Sequence, residues 1–104
     1  MQATERVIVD GRALIGWYQL PGPDRERIEQ RLANLAEQPV EKWSGEDVEV
    51  WRPAENLYAL HTYVGTDHLL VFIRPEGARI RLEDMVLQET IDRYFTPRNG
   101  AAQA

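Results

Sequence analysis

Apolar residues along this chain recur at spacing two, then at helical spacing, then at two again. Arg6-Val7-Ile8-Val9 is a short β-type run closed by Asp10-Gly11, and Asp10 is a good N-cap for the stretch Arg12 to Leu20. In that stretch Ala13, Leu14, Trp17 and Leu20 share a helical face, while Arg12 and Gln19 fall elsewhere. Pro21-Gly22-Pro23 breaks the helix and starts a second, with Pro23 or Asp24 in its first turn. Ile28, Leu32, Leu35 and Ala36 then form an apolar stripe at i, i+4, i+7 and i+8, which Pro39 stops. Two short helices joined by a tight break predict an αα-hairpin.

Residues 40 to 56 are polar and acidic, carrying Glu41, Glu46, Asp47, Glu49 and Glu55. Val48 and Val50 alternate with charged neighbours, which predicts a half-exposed strand ending before Pro53, the remainder being loop. Leu57 to Arg74 holds two strand-like runs around Val64-Gly65-Thr66-Asp67. A two-residue turn at Gly65-Thr66 is of type II′, which wants glycine first, and it pairs Val64 with Asp67 and Tyr63 with His68. One face then carries Tyr58, Leu60, Thr62 and Val64 with Leu69, Val71 and Ile73, and reads as core. The other carries Ala59, His61 and Tyr63 with His68, Leu70, Phe72 and Arg74, mixed and partly open, with both histidines together. A three-residue loop would place the histidines on opposite faces, because a one-residue slip inverts every side chain.

After the turn Pro75-Glu76-Gly77, Arg79 to Val86 reads as a strand with Ile80, Leu82 and Val86 one way and Arg79, Arg81 and Glu83 the other. From Leu87 the spacing of Leu87, Ile91, Tyr94 and Phe95 suits a short helix, and 96 to 104 is a small-residue tail. The order reads β-α-α-β-β-β-α. It predicts an α+β fold with an antiparallel sheet, the N-terminal αα-hairpin packed on one face and the other face partly open. Residues 1–95 form one domain on this reading and 96–104 a flexible C-terminal tail.

The length of 104 residues fits a single core and leaves no room for a deep, separate ligand chamber. There is no cysteine, which excludes disulfides, thiolate metal sites and cysteine nucleophiles. The polar start Met1 to Arg6 shows no signal peptide, and the longest apolar run, Leu69 to Ile73, is too short to span a bilayer. A cytosolic location is the expectation. Net charge is −5 and Lys42 is the sole lysine, an acidic balance that works against a general grip on phosphate, although it leaves room for an arginine patch.

The chain has no glycine-rich phosphate loop, no G-x-S-x-G elbow, no H-E-x-x-H and no calcium loop. His61 and His68 with Glu83 or Asp84 offer metal-ligand types, but their spacing demands no metal, and neither a metal nor an organic cofactor is expected. The two imidazoles are more telling as an acid/base pair. Cleaving RNA through its own 2′-hydroxyl needs a base, an acid and positive charge on the phosphate. Imidazole, with a pKa of about 6.5, serves the first two near neutral pH. Arg74, Arg79 and Arg81 are candidates for the third. Exposed strand histidines of ordinary frequency are the plain alternative. Trp17 belongs to the helical stripe. Trp43 and Trp51 flank the acidic stretch, where they cover the domain's own sheet edge, stack a base or cover a partner helix.

The run Val9-Asp10-Gly11-Arg12-Ala13-Leu14 with Trp17 and Leu20, followed by Arg25-Glu26, Leu32, Leu35, Glu37 and Pro39, resembles the N-terminal half of bacterial RelE-type toxins, which read D-x-R-A-L-x-x-W-x-x-L. The half from Leu57-Tyr58 through Tyr94 is similar in spacing and strand order, with a longer acidic loop between. The resemblance implies the RelE/ParE fold. For the RelE branch it implies the toxin of a type II toxin–antitoxin pair, an endoribonuclease that cleaves mRNA on the ribosome, inhibits translation and is restrained by a cognate antitoxin protein. Carried over by position, the family's C-terminal tyrosine falls on Tyr94 and its strand arginine on His68. Its two lysines fall on Ala59 and His61, and a late arginine falls on Gln88. Only the tyrosine is kept in kind; two basic positions are histidine and two are uncharged. The expected catalytic set is therefore His61, His68 and Tyr94, with Arg74, Arg79 and Arg81 on the phosphate. The alternative is a non-catalytic interaction domain on the same scaffold, a ParE-like gyrase-directed or degenerate toxin whose open face binds a partner protein.

Overall fold

Residues 6–94 are described by the computed structural model, so Phe95 and the segment 96–104 lie outside the described residues. The elements are β1 (Val7–Val9), α1 (Leu14–Gln19), α2 (Gly22–Ala36), β2 (Val48–Arg52), β3 (Leu57–Val64), β4 (Asp67–Glu76), β5 (Arg79–Leu87) and α3 (Gln88–Tyr94). Asp10 caps the first helical stretch as its position predicts: its side chain accepts the Arg12 backbone N–H at 3.1 Å, and a 3₁₀ turn, Gly11–Ala13, leads into α1. Leu20 and Pro21 are extended (ψ 143° and 140°), which separates α1 from α2. Helix α2 ends at Ala36, before Pro39.

The class is α+β, and the five strands form one sheet in the order β1-β5-β4-β3-β2. The sheet is mixed, which corrects the expected antiparallel one. Val7↔Ile80 and Val9↔Leu82 are parallel partners, and the other pairings are antiparallel. The reason is the crossover. The αα-hairpin and three strands separate β1 from β5, ample chain for a parallel return, and a three-residue strand carries no direction in its pattern. The half-exposed strand read at Val48 and Val50 is present as β2, which makes five strands where the order β-α-α-β-β-β-α counts four.

Helices α1 and α2 pack on one face. Trp17, Ile28, Leu32 and Leu35 meet Leu60, Val71, Ile73, Ile80 and Leu82 in the principal core. A second, smaller core lies on the other face, where Ile91 of α3 covers Ala59, Leu70 and Phe72, and Trp51 packs alongside. That face is therefore closed in its middle by α3.

The acidic stretch is more ordered than a loop. Val40–Glu46 is a 3₁₀ helix that drives Trp43 into the principal core, where its Nε1–H donates to Leu35 O at 3.0 Å and its ring meets Tyr58 edge-on at 5.1 Å. Trp43 thus satisfies a carbonyl at the end of α2 and does not cover a sheet edge. Trp51 lies on the other face, edge-on to Phe72 at 5.0 Å. The stretch leaves its turns through left-handed residues, Asp47 (φ 65°) and Asn56 (φ 58°), residue types that tolerate that conformation.

Strand β5 holds a second correction. Phe72 pairs with Asp84 but Ile73 with Leu82, so Glu83 is an inserted residue. A bulge reverses the alternation beyond it. Ile80 and Leu82 face the principal core, whereas Val86, opposite Leu70, faces the second. Among the described residues no helix is long and apolar enough to cross a membrane.

Candidate active site

The site begins with the turn. Gly65 has φ +63°, while Thr66 is not among the residues of positive φ, the signature of type II′. Val64 pairs with Asp67 and Tyr63 with His68, the register read from the sequence. His61 and His68 therefore share a face. Their rings meet, His61 Nδ1 lying 2.9 Å from His68 Nε2.

Two further side chains complete the cluster. Glu49 pairs with Ala59 in the β2–β3 ladder, one diagonal step from His61, and its Oε1 lies 2.5 Å from His61 Nε2. Tyr63, opposite His68, stacks on that ring at 5.0 Å and 22°. Strand β2 stops short of the hairpin tip: Val48 pairs with Leu60, and Asp47 O accepts the His61 N–H at 2.8 Å. The outer edge of β3 beyond that point is met by arginines of α2. Arg31 donates to His61 O at 3.4 Å and to Glu46 O at 2.9 Å, and Arg27 donates to Tyr63 O. Arg31 thereby ties the approach to β2 against β3, which holds Glu49 in reach of its imidazole.

With Glu49 ionised, one set of tautomers satisfies the chain of contacts. An ionised carboxylate only accepts, so His61 Nε2 carries the hydrogen facing Glu49. Neutral His61 then offers a lone pair at Nδ1, which accepts from His68 Nε2–H. Neutral His68 is left with a free lone pair on Nδ1. A proton taken there can be passed inward, and Glu49 meets the positive charge that results. The two imidazoles thus form one proton-accepting unit, rather than an independent acid and an independent base. The orienting role of the carboxylate follows the logic of His–carboxylate pairs in nucleophilic hydrolases.

A hollow of about 630 Å³ opens beside the rings, with Arg27, Arg31, Asp24 and Asp47 on its walls. The arginines are matched by acids, Arg27 with Asp24 at 2.6 Å and Arg31 with Asp47 at 3.7 Å. The expected arginines are not brought to this place. Arg74 is on the same face of β4 but six residues from His68, roughly 20 Å along the strand. Arg81 is held by Glu76 at 2.9 and 3.2 Å, with Asp10 at 3.6 Å. That hydrogen bond from Arg81 holds the Glu76 carboxyl below its ordinary value and raises the guanidinium in turn. Arg79, the register partner of Glu76, is exposed at the same distant end. Tyr94 ends α3 and is half exposed. Glu83 and Asp84 lie by Arg12, Arg74 and Phe72, and among the described residues no group of three or more ligand types is placed to hold a metal.

Compared with family models, curated proteins and solved structures, the chain matches none. Function therefore has to be argued from these side chains.

Proposed function

We propose that this chain is a RelE-like toxin whose hairpin tip performs metal-independent cleavage of mRNA, in a bacterial cytosol and under the control of an antitoxin protein. The observation that carries the chemistry is the unbroken line Glu49–His61–His68, with 2.5 and 2.9 Å between successive heteroatoms. His68 Nδ1 removes the proton of a ribose 2′-hydroxyl. The O2′–P bond forms as the P–O5′ bond breaks, and the departing O5′ takes a proton, leaving a 2′,3′-cyclic phosphate and a 5′-hydroxyl. Tyr63, stacked on His68, is the phenol nearest the pair by register and joins Tyr94 as a candidate proton donor. Arg27 and Arg31 take the phosphate-facing role first expected of Arg74, Arg79 and Arg81, since they are the guanidinium groups beside the rings.

The test is induction of the protein without its neighbouring genes, following growth, translation and mRNA 5′ ends. Wild type should arrest growth and yield cuts with 5′-hydroxyl ends. His68→Ala should abolish the cuts, and Glu49→Gln should reduce them by about 10²- to 10⁴-fold, the range of a general base and its orienting group. Arrest without cuts, unchanged by these substitutions, would instead favour the non-catalytic reading, ParE-like or otherwise, in which the scaffold acts by binding a protein such as gyrase.

A further inference from the structure

A second hollow, of about 760 Å³, is far from the histidines and plays no part in the chemistry above. It lies on the second face, where Phe72, Trp51 and Ile91 make an apolar floor and Arg74, Glu83 and Asp84 stand at the polar side. The bulge at Glu83 sets this arrangement, because the inserted residue turns Asp84 to the same side as Phe72.

Of its polar side chains, Arg74 and Glu83 make ion contacts but no hydrogen bond, whereas Asp84 Oδ1 accepts the Met85 backbone N–H at 2.8 Å. Arg74 Nε is buried and lies 3.4 Å from Glu83 Oε2 without a hydrogen bond, and Arg74 makes no hydrogen bond among the described residues. Glu83, only 15% exposed, makes ion contacts with Arg74 and, at 3.8 Å, with Arg12, but no hydrogen bond. The Trp51 indole N–H likewise has no hydrogen-bond partner among the described residues. Arg27, Arg31 and Arg81, by comparison, each donate hydrogen bonds through their guanidinium groups. Donors and acceptors left unused beside an aromatic floor in a cleft of this size are what a small-ligand site looks like.

We infer that the groove binds a purine base, and guanine by preference. A flat ring system can stack on the face of one of these rings, which stand edge-on to each other, and such stacking is open to any base. The polar side selects among them. An arginine fork matches the adjacent O6 and N7 acceptors of guanine, and carboxylates accept from its N1–H and N2–H₂. Adenine offers a donor where guanine has O6, and it lacks the second donor pair. The base comes from a free nucleotide or from a single-stranded RNA, and the ring chemistry is common to both.

Calorimetric titration of the full chain with GMP, AMP and UMP, and with 2′-O-methylated RNA tetramers with and without guanine, decides the matter. The methylated strands cannot be cut, so the result is independent of the cleavage proposal. Saturable binding of GMP or of the guanine tetramer, at least about tenfold tighter than the AMP, UMP or guanine-free counterpart, supports the site. Binding of the tetramer alone assigns the base to a strand, and equal binding of GMP assigns it to a free nucleotide. Trp51→Ala, Arg74→Met and Glu83→Gln should each weaken binding by about tenfold, and Lys42→Gln should leave it unchanged. Should Trp51→Ala fail to fold, the two rim substitutions carry the test. No saturable heat with any guanine probe, or an Arg74→Met protein that binds like wild type, overturns the proposal.

Discussion

A proton arriving at His68 has a continuous path inward, since the rings of His68 and His61 and the Glu49 carboxylate lie in line at 2.9 and 2.5 Å. The same reasoning at a different pair of residues gives a prediction about acid. Asp10 is held below its ordinary value chiefly by the Arg12 backbone N–H, and Glu76 chiefly by the Arg81 side chain. Both carboxyls stay ionised in the folded protein at pH values where the unfolded chain, with ordinary values of 3.8 and 4.5, protonates them. Their contribution is therefore complete above those values and is lost as pH falls through the lower folded ones. Urea midpoints should drop below about pH 4.5, and less steeply for Asp10→Asn/Glu76→Gln; equal slopes would refute the linkage. The residues themselves differ in how far they can be read from sequence. His61 and His68 stand out by type and parity. Glu49 does not, because it is one acid among several in an acidic stretch, and its partner is set by a ladder register between segments that no short turn connects. Arg27 and Arg31 read as solvated positions of a helix until the helix is placed over the edge of β3.

Among the elements, the β3–β4 hairpin was the most legible, since glycine first in a two-residue turn leaves little choice of geometry. Its dependence on Gly65 is testable. An alanine there must adopt a φ that L-residues avoid, so Gly65→Ala should cost about 1–2 kcal/mol by denaturant unfolding. It should also disturb the imidazole resonances of His61 and His68 together; an unchanged midpoint would show that the turn is not under this constraint. Strand β5 was legible only up to its bulge. An inserted residue leaves no mark in an alternating pattern that resumes two residues later, and so Val86 reads as the continuation of Ile80 and Leu82 although it faces the other way. The 3₁₀ helix at Val40–Glu46 escaped for a different reason: its single buried residue, Trp43, establishes no period.

The molecule as a whole has unequal cores on the two sides of its sheet. The principal one unites helices and all five strands, whereas the second rests on four buried side chains, Ala59, Leu70, Phe72 and Ile91. Helix α3 is held chiefly by Ile91. Its amides should therefore exchange by local opening, well before global unfolding. Ile91→Ala should raise exchange across residues 88–94 while the strands of the principal core stay protected; uniform loss of protection would mean that the two cores unfold as one. The α+β class was accessible from the order of elements, but the direction of β1 and the cover over the second face were not, because the first depends on a distant pairing with β5 and the second on α3 folding back over β3 and β4. One consequence follows from the guanidinium groups of Arg27 and Arg31. At the projecting tip of β3, the carbonyl oxygens of His61 and Tyr63 already have donors. A foreign polypeptide cannot lengthen the sheet there without first evicting both cations, so accretion of further strands, in crowding or in disease-like fibrils, is steered away from the histidines.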